Sequence, residues 1–139
     1  MPHTTEIKVR GYHEDRFGHV NNARYLEFLE EGRWDYLDVH GPRGGFSSHG
    51  VFPVVAHLAV SYRRPAQAGD TLIITTQVVD TASRKLVMHQ EIHQQATGKL
   101  CCEADIDVVL VDAETGRPAV LKDEIVNAWP ELREAQRPR

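Results

Sequence analysis

The chain has 139 residues, a length typical of one domain, and 41% of them are hydrophobic, which is enough for a buried core. Its net charge of −4 does not favour a nucleic-acid surface. The N-terminus lacks the pattern of a signal peptide, and no apolar run approaches the roughly 20 residues of a membrane helix. We therefore expect a single domain over residues 1–139 with no nucleic-acid or membrane partner.

The two cysteines, Cys101 and Cys102, are adjacent in the sequence. Neighbouring side chains on a strand point to opposite faces, so this pair is not expected to form a disulfide. Reduced thiols that pack in the core indicate a cytoplasmic protein.

The hydrophobic pattern predicts a strand over residues 4–12, a loop from Glu14 to Gly18, and a helix that runs through His40. Asn21 or Asn22 is predicted to cap this helix. Its apolar residues recur at spacings of three and four and form one stripe: Tyr25, Phe28, Leu29, Gly32 and Tyr36. Four extended segments follow, at residues 51–64, 71–81, 86–95 and 100–111. A short helix interrupted at Pro130 is predicted over residues 123–136.

One long helix followed by an antiparallel meander is typical of the α+β class. A single helix covers only one face of a sheet and leaves the sheet edges unpaired. We therefore expect a homo-oligomer.

The segment between the first strand and the helix contains the candidate catalytic residue. Asp15 lies just ahead of a helix N-terminus, where unpaired N–H groups and the helix dipole can stabilise an oxyanion. A carboxylate can act as a nucleophile or as a base that activates water. This combination suits the hydrolysis of an ester or thioester. The alternative is that Asp15 only caps a turn; Glu14 is the rival carboxylate, and its side chain is expected to point the other way.

Two motifs carry a family resemblance, one around the start of the predicted helix and one that begins at the end of the second predicted strand. The first comprises Val9-Arg10-Gly11-Tyr12, Asp15, His19-Val20-Asn21-Asn22-Ala23-Arg24-Tyr25-Leu26-Glu27-Phe28-Leu29-Glu30-Glu31 and Arg33-Trp34-Asp35, and the second comprises Ser61-Tyr62-Arg63-Arg64-Pro65-Ala66 and Gly69-Asp70. With these motifs the chain resembles the hot-dog-fold acyl-CoA thioesterases, specifically the 4-hydroxybenzoyl-CoA thioesterase family and its long-chain acyl-CoA branch. The likeness extends from about residue 6 to residue 127.

The resemblance implies a hot-dog fold in which a five-stranded antiparallel sheet wraps one long helix. It implies a homodimer or homotetramer with its sites at subunit interfaces. The implied activity is hydrolysis of acyl-CoA, in particular medium- to long-chain fatty acyl-CoA of lipid metabolism, without a cofactor.

The resemblance also assigns roles to residues. Asp15 aligns with the family's catalytic carboxylate, and Asn22 with the position whose backbone N–H polarises the thioester carbonyl. The acyl group and its thioester are expected to contact Gly18, His19, Val20, Tyr25 and Phe28. The alternatives are that Tyr25 and Phe28 are core residues, that Gly18 is an ordinary turn glycine and that His19 is structural or solvated. Basic side chains suit the CoA phosphates, and the candidates are Arg64 first, then Arg63 and Lys85.

Two other functions stay open at this point. His19 with Asp15 could serve a hot-dog dehydratase or hydratase acting on 3-hydroxyacyl or enoyl thioesters. A non-catalytic acyl-CoA-binding module is the second alternative. No metal is expected, because His89, Glu91 and His93 lie on a predicted strand and lack convincing further ligands.

Overall fold

The structure is a computed structural model that describes residues 2–135. It contains three α-helices: α1 Asn22–His40, α2 Asp123–Ala128 and α3 Pro130–Ala135. Its strands are β1 His3–Lys8, β2 Val51–Tyr62, β3 Thr71–Thr81, β4 Leu86–Gln94, β5 Leu100–Asp112 and β6 Pro118–Ala119. No helix in the described range is long and apolar enough to cross a bilayer.

The strands form one sheet in the order β1-β3-β4-β5-β2, and β6 pairs with β5. β1 runs antiparallel to β3, in a register that pairs His3 with Thr76 and Lys8 with Thr71. Buried and half-buried residues alternate along β3 and β4, as expected for strands that cover a core with one face. A long helix with an antiparallel sheet confirms the α+β class.

Several predicted boundaries are wrong. The sheet has a sixth strand, β6, whose two residues carry no periodic signal. The first strand ends at Lys8 rather than residue 12, because the chain turns there into a 3₁₀ turn over Gly11–His13. β2, β4 and β5 each differ from the predicted segments by one or two residues at the C-terminal end. The C-terminal segment forms two helices that meet at Pro130, and Gln136 of the prediction lies outside the described residues.

The chain divides into two compact units, which leaves the single domain over residues 1–139 a prediction. The first unit comprises the chain up to Tyr36, Val60–Thr76 and Gln90–Ala104. Within it α1 approaches the sheet closely at Gly32, where an added Cβ would lie 2.8 Å from Ile74 Cγ2. This contact explains a glycine in the middle of a helix, since any side chain would push α1 off the sheet.

A buried polar cluster lies beside this close approach. The fully buried Gln90 amide donates to the Leu29 carbonyl at 2.9 Å and to Thr76 Oγ1 at 3.0 Å. Its carbonyl oxygen accepts from the Arg33 guanidinium at 3.1 Å. All three bonds are needed because an unpaired amide in a core is costly.

The second unit comprises Leu37–Ala59, Gln77–His89 and the chain from Asp105 onward. Trp129 is 1% exposed and packs edge-on against Phe46, with 5.8 Å between ring centroids. The Glu131 carboxylate accepts a hydrogen bond from the Val78 N–H, which ties α3 to β3. The unit therefore has an apolar centre of its own.

Candidate active site

Asp15 lies on a tight loop between β1 and α1. Its N–H donates to the His19 carbonyl at 2.8 Å, and the Gly18 N–H donates back to the Asp15 carbonyl at 3.1 Å. Gly18 adopts a φ of 77°, a left-handed conformation that other residues reach only with strain. The glycine therefore allows the chain to reverse directly after Asp15.

Backbone hydrogen bonds join the two ends of this loop. Glu14 and Val20 form an isolated β-bridge, and the Asn21 N–H donates to the His13 carbonyl at 3.0 Å. The buried His13 ring accepts from the Arg10 N–H at 2.8 Å through Nδ1. Burial, and then the nearby positive charge of Arg24, lowers the pKa of His13. The ring is thus a neutral structural group beneath the loop.

The two oxygens of the Asp15 carboxylate differ in their hydrogen bonds within the described residues. Oδ1 accepts from the Phe17 N–H at 2.8 Å and, more weakly, from the His19 N–H at 3.5 Å. Oδ2 accepts no hydrogen bond from any residue in the range 2–135. The turn-capping role considered from the sequence is therefore present, and it orients the side chain while leaving one oxygen for chemistry.

The N-terminus of α1, next to this loop, has one N–H group without a hydrogen-bond acceptor among the described residues, that of Asn22. Asn21 is the capping residue, because its Oδ1 accepts from the Ala23 N–H at 3.0 Å. Asn22 is the first helical residue, so its N–H has no partner within the helix. No other residue of the described chain accepts from that N–H.

A pocket of about 270 Å³ in the first unit brings these groups together. Its walls are formed by residues of the Asp15 loop, of α1, of the end of β2 and of the segment that follows β2: Asp15, His19, Val20, Asn22, Tyr25, Tyr62, Arg63, Arg64 and Pro65. Seven of the ten site residues predicted from the sequence are among them.

The other three predicted site residues are not on the pocket wall. Gly18 shapes the loop behind it. Phe28 is buried, packing against the His13 ring at a centroid distance of 4.9 Å. Lys85 belongs to the second unit, where it pairs with Asp107 at 3.4 Å.

Two tyrosines, Tyr25 and Tyr62, line the pocket, and only Tyr25 is predicted as a site residue from the sequence. Tyr25 is 3% exposed, and its hydroxyl oxygen accepts from the Ala66 N–H at 3.1 Å. Burial raises the pKa of Tyr25 to about 12. Tyr62 was missed; its hydroxyl donates to the Asn22 carbonyl at 3.3 Å, and burial raises its pKa as well. Its place beside Arg63 in the second motif was the only available signal.

The two pocket arginines differ in their partners. Arg63 forms an ion pair with Glu103 at 2.7 Å. Arg64 forms no ion pair or side-chain hydrogen bond with any residue between 2 and 135. Arg64 is therefore the cation that can contact an anionic ligand without first losing a partner.

The other chemically notable residues have ordinary partners. His89 pairs with Asp105 at 2.8 Å and His93 with Glu91 at 3.4 Å, and no cluster of three or more metal ligands occurs among the described residues. Cys101 and Cys102 are buried free thiols, and burial raises the pKa of Cys102 to about 12. Neither thiol has the low pKa of a nucleophile.

Residues 9–129 match the thioesterase-like superfamily. The chain belongs to this superfamily. It is 40% identical over 121 residues to the long-chain acyl-CoA thioesterase FadM of Escherichia coli, covering 87% of this chain and 92% of that protein. It is 34% identical over 121 residues to the acyl-CoA thioester hydrolase YbgC of Escherichia coli, covering 85% and 90%.

A solved structure shows the same fold. The probable thioesterase YbaW of Escherichia coli superposes with a TM-score of 0.84 at 39% identity, covering 90% of this chain and 94% of that one. These relations confirm the hot-dog fold and the prediction of a thioester hydrolase. The comparisons therefore show the enzyme class of this chain.

Proposed function

We propose that this thioesterase hydrolyses acyl-CoA, with medium- to long-chain fatty acyl-CoA as the preferred substrates. The observation that carries the proposal is one pocket that holds an uncommitted carboxylate oxygen, an unpaired helix N–H and an unpaired arginine. The 40% identity to a long-chain acyl-CoA thioesterase supports the substrate class.

Asp15 starts the reaction in one of two ways. As a base, its Oδ2 takes a proton from a water molecule whose oxygen attacks the thioester carbonyl. As a nucleophile, Oδ2 attacks the carbonyl itself and forms an anhydride that water then cleaves. Either way the negative charge develops on the carbonyl oxygen, where the Asn22 N–H stabilises it, and CoA leaves as a thiolate.

Arg64 supplies the contact to the leaving group. The phosphates of CoA are anionic, and a guanidinium binds such groups through parallel hydrogen bonds. Because Arg64 has no competing carboxylate in the described chain, it suits this role better than Arg63.

The hydratase alternative lacks the pair it would need. That chemistry would couple the His19 ring to an acidic side chain, whereas within residues 2–135 the Asp15 carboxylate accepts hydrogen bonds only from backbone N–H groups. Nothing in this pocket favours it over hydrolysis.

We propose that the enzyme forms a homodimer or homotetramer through the edge strand β2. β2 is at one end of the strand order, it is 12 residues long, and it exposes Phe52, Val54 and Val55. Long apolar edge strands are templates for pairing with another chain. The pocket volume of about 270 Å³ is also small for an acyl chain, which suggests that a second copy completes the site.

The test is thiol release from acyl-CoA by the wild type and by Asp15→Asn. The substitution keeps the size of the side chain and removes the base or nucleophile, so we expect a loss of at least about 10²-fold. Asp105→Asn, in an exposed pair with His89, is the matched control and should keep wild-type activity. A loss below about tenfold in folded Asp15→Asn protein contradicts the role of Asp15.

A further inference from the structure

Tyr25 has a buried hydroxyl group and lies on the wall of the pocket that Asp15 also lines. It lies three positions after Asn22 in α1, which places its side chain on the same side of the helix, about 4.5 Å further along the axis. Both residues line the same pocket as Asp15.

The orientation of the Tyr25 ring is fixed. Its hydroxyl oxygen accepts from the Ala66 N–H at 3.1 Å, and the Tyr62 ring packs edge-on at a centroid distance of 5.6 Å. The Ala66 carbonyl in turn accepts from the Val20 N–H at 2.8 Å. The Tyr25 side chain thus links α1 to the segment that carries Arg64.

The hydroxyl hydrogen of Tyr25 has no acceptor among residues 2–135. A tyrosine hydroxyl donates one hydrogen bond and accepts others, and here only its accepting capacity is used. Buried donors in proteins nearly always find a partner. Tyr25 lines the pocket, so an acceptor atom of a ligand bound there can take this hydrogen bond.

We propose that Tyr25 is a catalytic residue that donates a hydrogen bond from its hydroxyl group to the thioester carbonyl oxygen, alongside the Asn22 N–H. The inference rests on the proposed function, since it requires a thioester in this pocket. The acceptor is the thioester oxygen because Tyr25 lies about one turn from the helix N-terminus and lines the same pocket as Asp15. Charge develops on that oxygen during attack, so the bond stabilises the transition state more than the bound substrate.

The raised pKa of the phenol is consistent with this role. A group whose pKa is raised to about 12 stays protonated through the working range, so Tyr25 acts as a donor and not as a base. Burial is the largest cause of the raised pKa; Cys101, Cys102 and Asp70 act in the same direction, whereas the hydrogen bond from the Ala66 N–H lowers the pKa.

The first experiment measures kcat and KM of Tyr25→Phe by thiol release from acyl-CoA. Loss of an oxyanion donor is expected to lower kcat on the order of 10²–10³-fold while KM changes little. An unchanged kcat, or a loss confined to KM, overturns the proposal. Because this variant also loses the bond from Ala66, a second measurement must separate the donor from the structural contact.

The second experiment replaces Tyr25 with 3,5-difluorotyrosine, whose phenol is more acidic. Its phenolate still accepts from the Ala66 N–H but has no hydrogen to donate. We expect kcat to fall with rising pH, toward the value of Tyr25→Phe, at a pH where the wild-type rate is constant. The same replacement at exposed Tyr12 should leave the pH profile unchanged. A difluorotyrosine-25 profile that matches the wild type overturns the proposal.

The two proposals fail in different ways. If Asp15→Asn remains active, the reaction assigned to this pocket is wrong. If Asp15 is required but both Tyr25 replacements leave kcat unaffected, only the role of Tyr25 is wrong.

Discussion

The Glu14 carboxylate accepts a hydrogen bond from the backbone N–H of Ala68, with 3.0 Å between the nitrogen and Oε2. This bond joins the loop that carries Asp15 to the segment that carries Arg64. Together with the bond from the Val20 N–H to the Ala66 carbonyl, it fixes the distance between the candidate catalytic carboxylate and the candidate phosphate-binding cation. We therefore expect Glu14 to act as a positioning residue rather than as a second catalytic carboxylate.

Glu14→Ala should weaken substrate binding. Without the carboxylate the segment after β2 loses one of its two bonds to the loop, and we expect KM for acyl-CoA to rise several-fold with a smaller change in kcat. The free energy of unfolding should fall by about 1 kcal/mol, the usual net contribution of one hydrogen bond. Steady-state kinetics and urea denaturation measure the two effects.

Glu14→Gln is the matched control for this prediction. Its amide oxygen can still accept from the Ala68 N–H, so both KM and stability should remain close to those of the wild type. If Glu14→Gln instead abolished turnover, Glu14 rather than Asp15 would be the acid–base group.

Gly32→Ala should destabilise the fold although alanine favours helices. The new Cβ would lie 2.8 Å from Ile74 Cγ2 and 3.1 Å from the Gln90 amide nitrogen. Overpacking of this kind costs about 1–3 kcal/mol, more than the gain of up to ~1 kcal/mol in helix propensity. We expect a lower midpoint in urea denaturation.

Gly11→Ala is the control for Gly32. A Cβ at Gly11 meets no atom within 4 Å, and its φ is not in the left-handed region, so stability should change by less than about 0.5 kcal/mol. An unaffected Gly32→Ala protein would show that α1 can shift away from the sheet without loss.

The sequence predicts the regular elements well where one pattern dominates. β3 is observed at its predicted residues, because alternation over 11 residues leaves no other register for the apolar side chains. The apolar stripe of α1 is likewise observed, with all five residues buried. The two-residue strand β6 is too short for any periodic signal.

Tertiary contacts explain what the sequence does not predict. The segment 9–12 reads as a strand, yet the His13 ring accepts from the Arg10 N–H and closes a 3₁₀ turn. The pocket joins residues from two distant motifs through bonds from Val20 and Ala68, which no local spacing encodes. Tyr62 and Pro65 were missed for the same reason.

The native enzyme should sediment as a dimer or a larger homo-oligomer, and Val55→Lys should convert it toward monomer. Val55 is 43% exposed on the edge strand β2, where a lysine would place charge into the proposed interface. If a second copy completes the site, activity should fall with dissociation. Analytical ultracentrifugation and thiol release on the same samples measure both.

Val39→Lys is the matched control for the assembly. Val39 is 63% exposed near the C-terminal end of α1, where a lysine also suits the helix dipole. This variant should keep the wild-type mass and activity. A wild-type protein that is fully active as a monomer would contradict assembly through β2.

Longer acyl chains should be hydrolysed more efficiently than acetyl-CoA. Val20 and Tyr25 give the pocket an apolar side. In the proposed binding mode Arg64 contacts CoA, whichever acyl group is attached. Each buried methylene contributes ~0.8 kcal/mol, which is roughly fourfold in kcat/KM if the methylene stays in contact. The rise should stop where one chain's pocket of about 270 Å³ is filled, unless the second copy extends it.

A thiol-release series from acetyl-CoA to palmitoyl-CoA measures the slope, and Val55→Lys measures how much of it depends on assembly. A flat series, or faster turnover of an aromatic acyl-CoA, would reject the fatty acyl preference while leaving thioester hydrolysis intact.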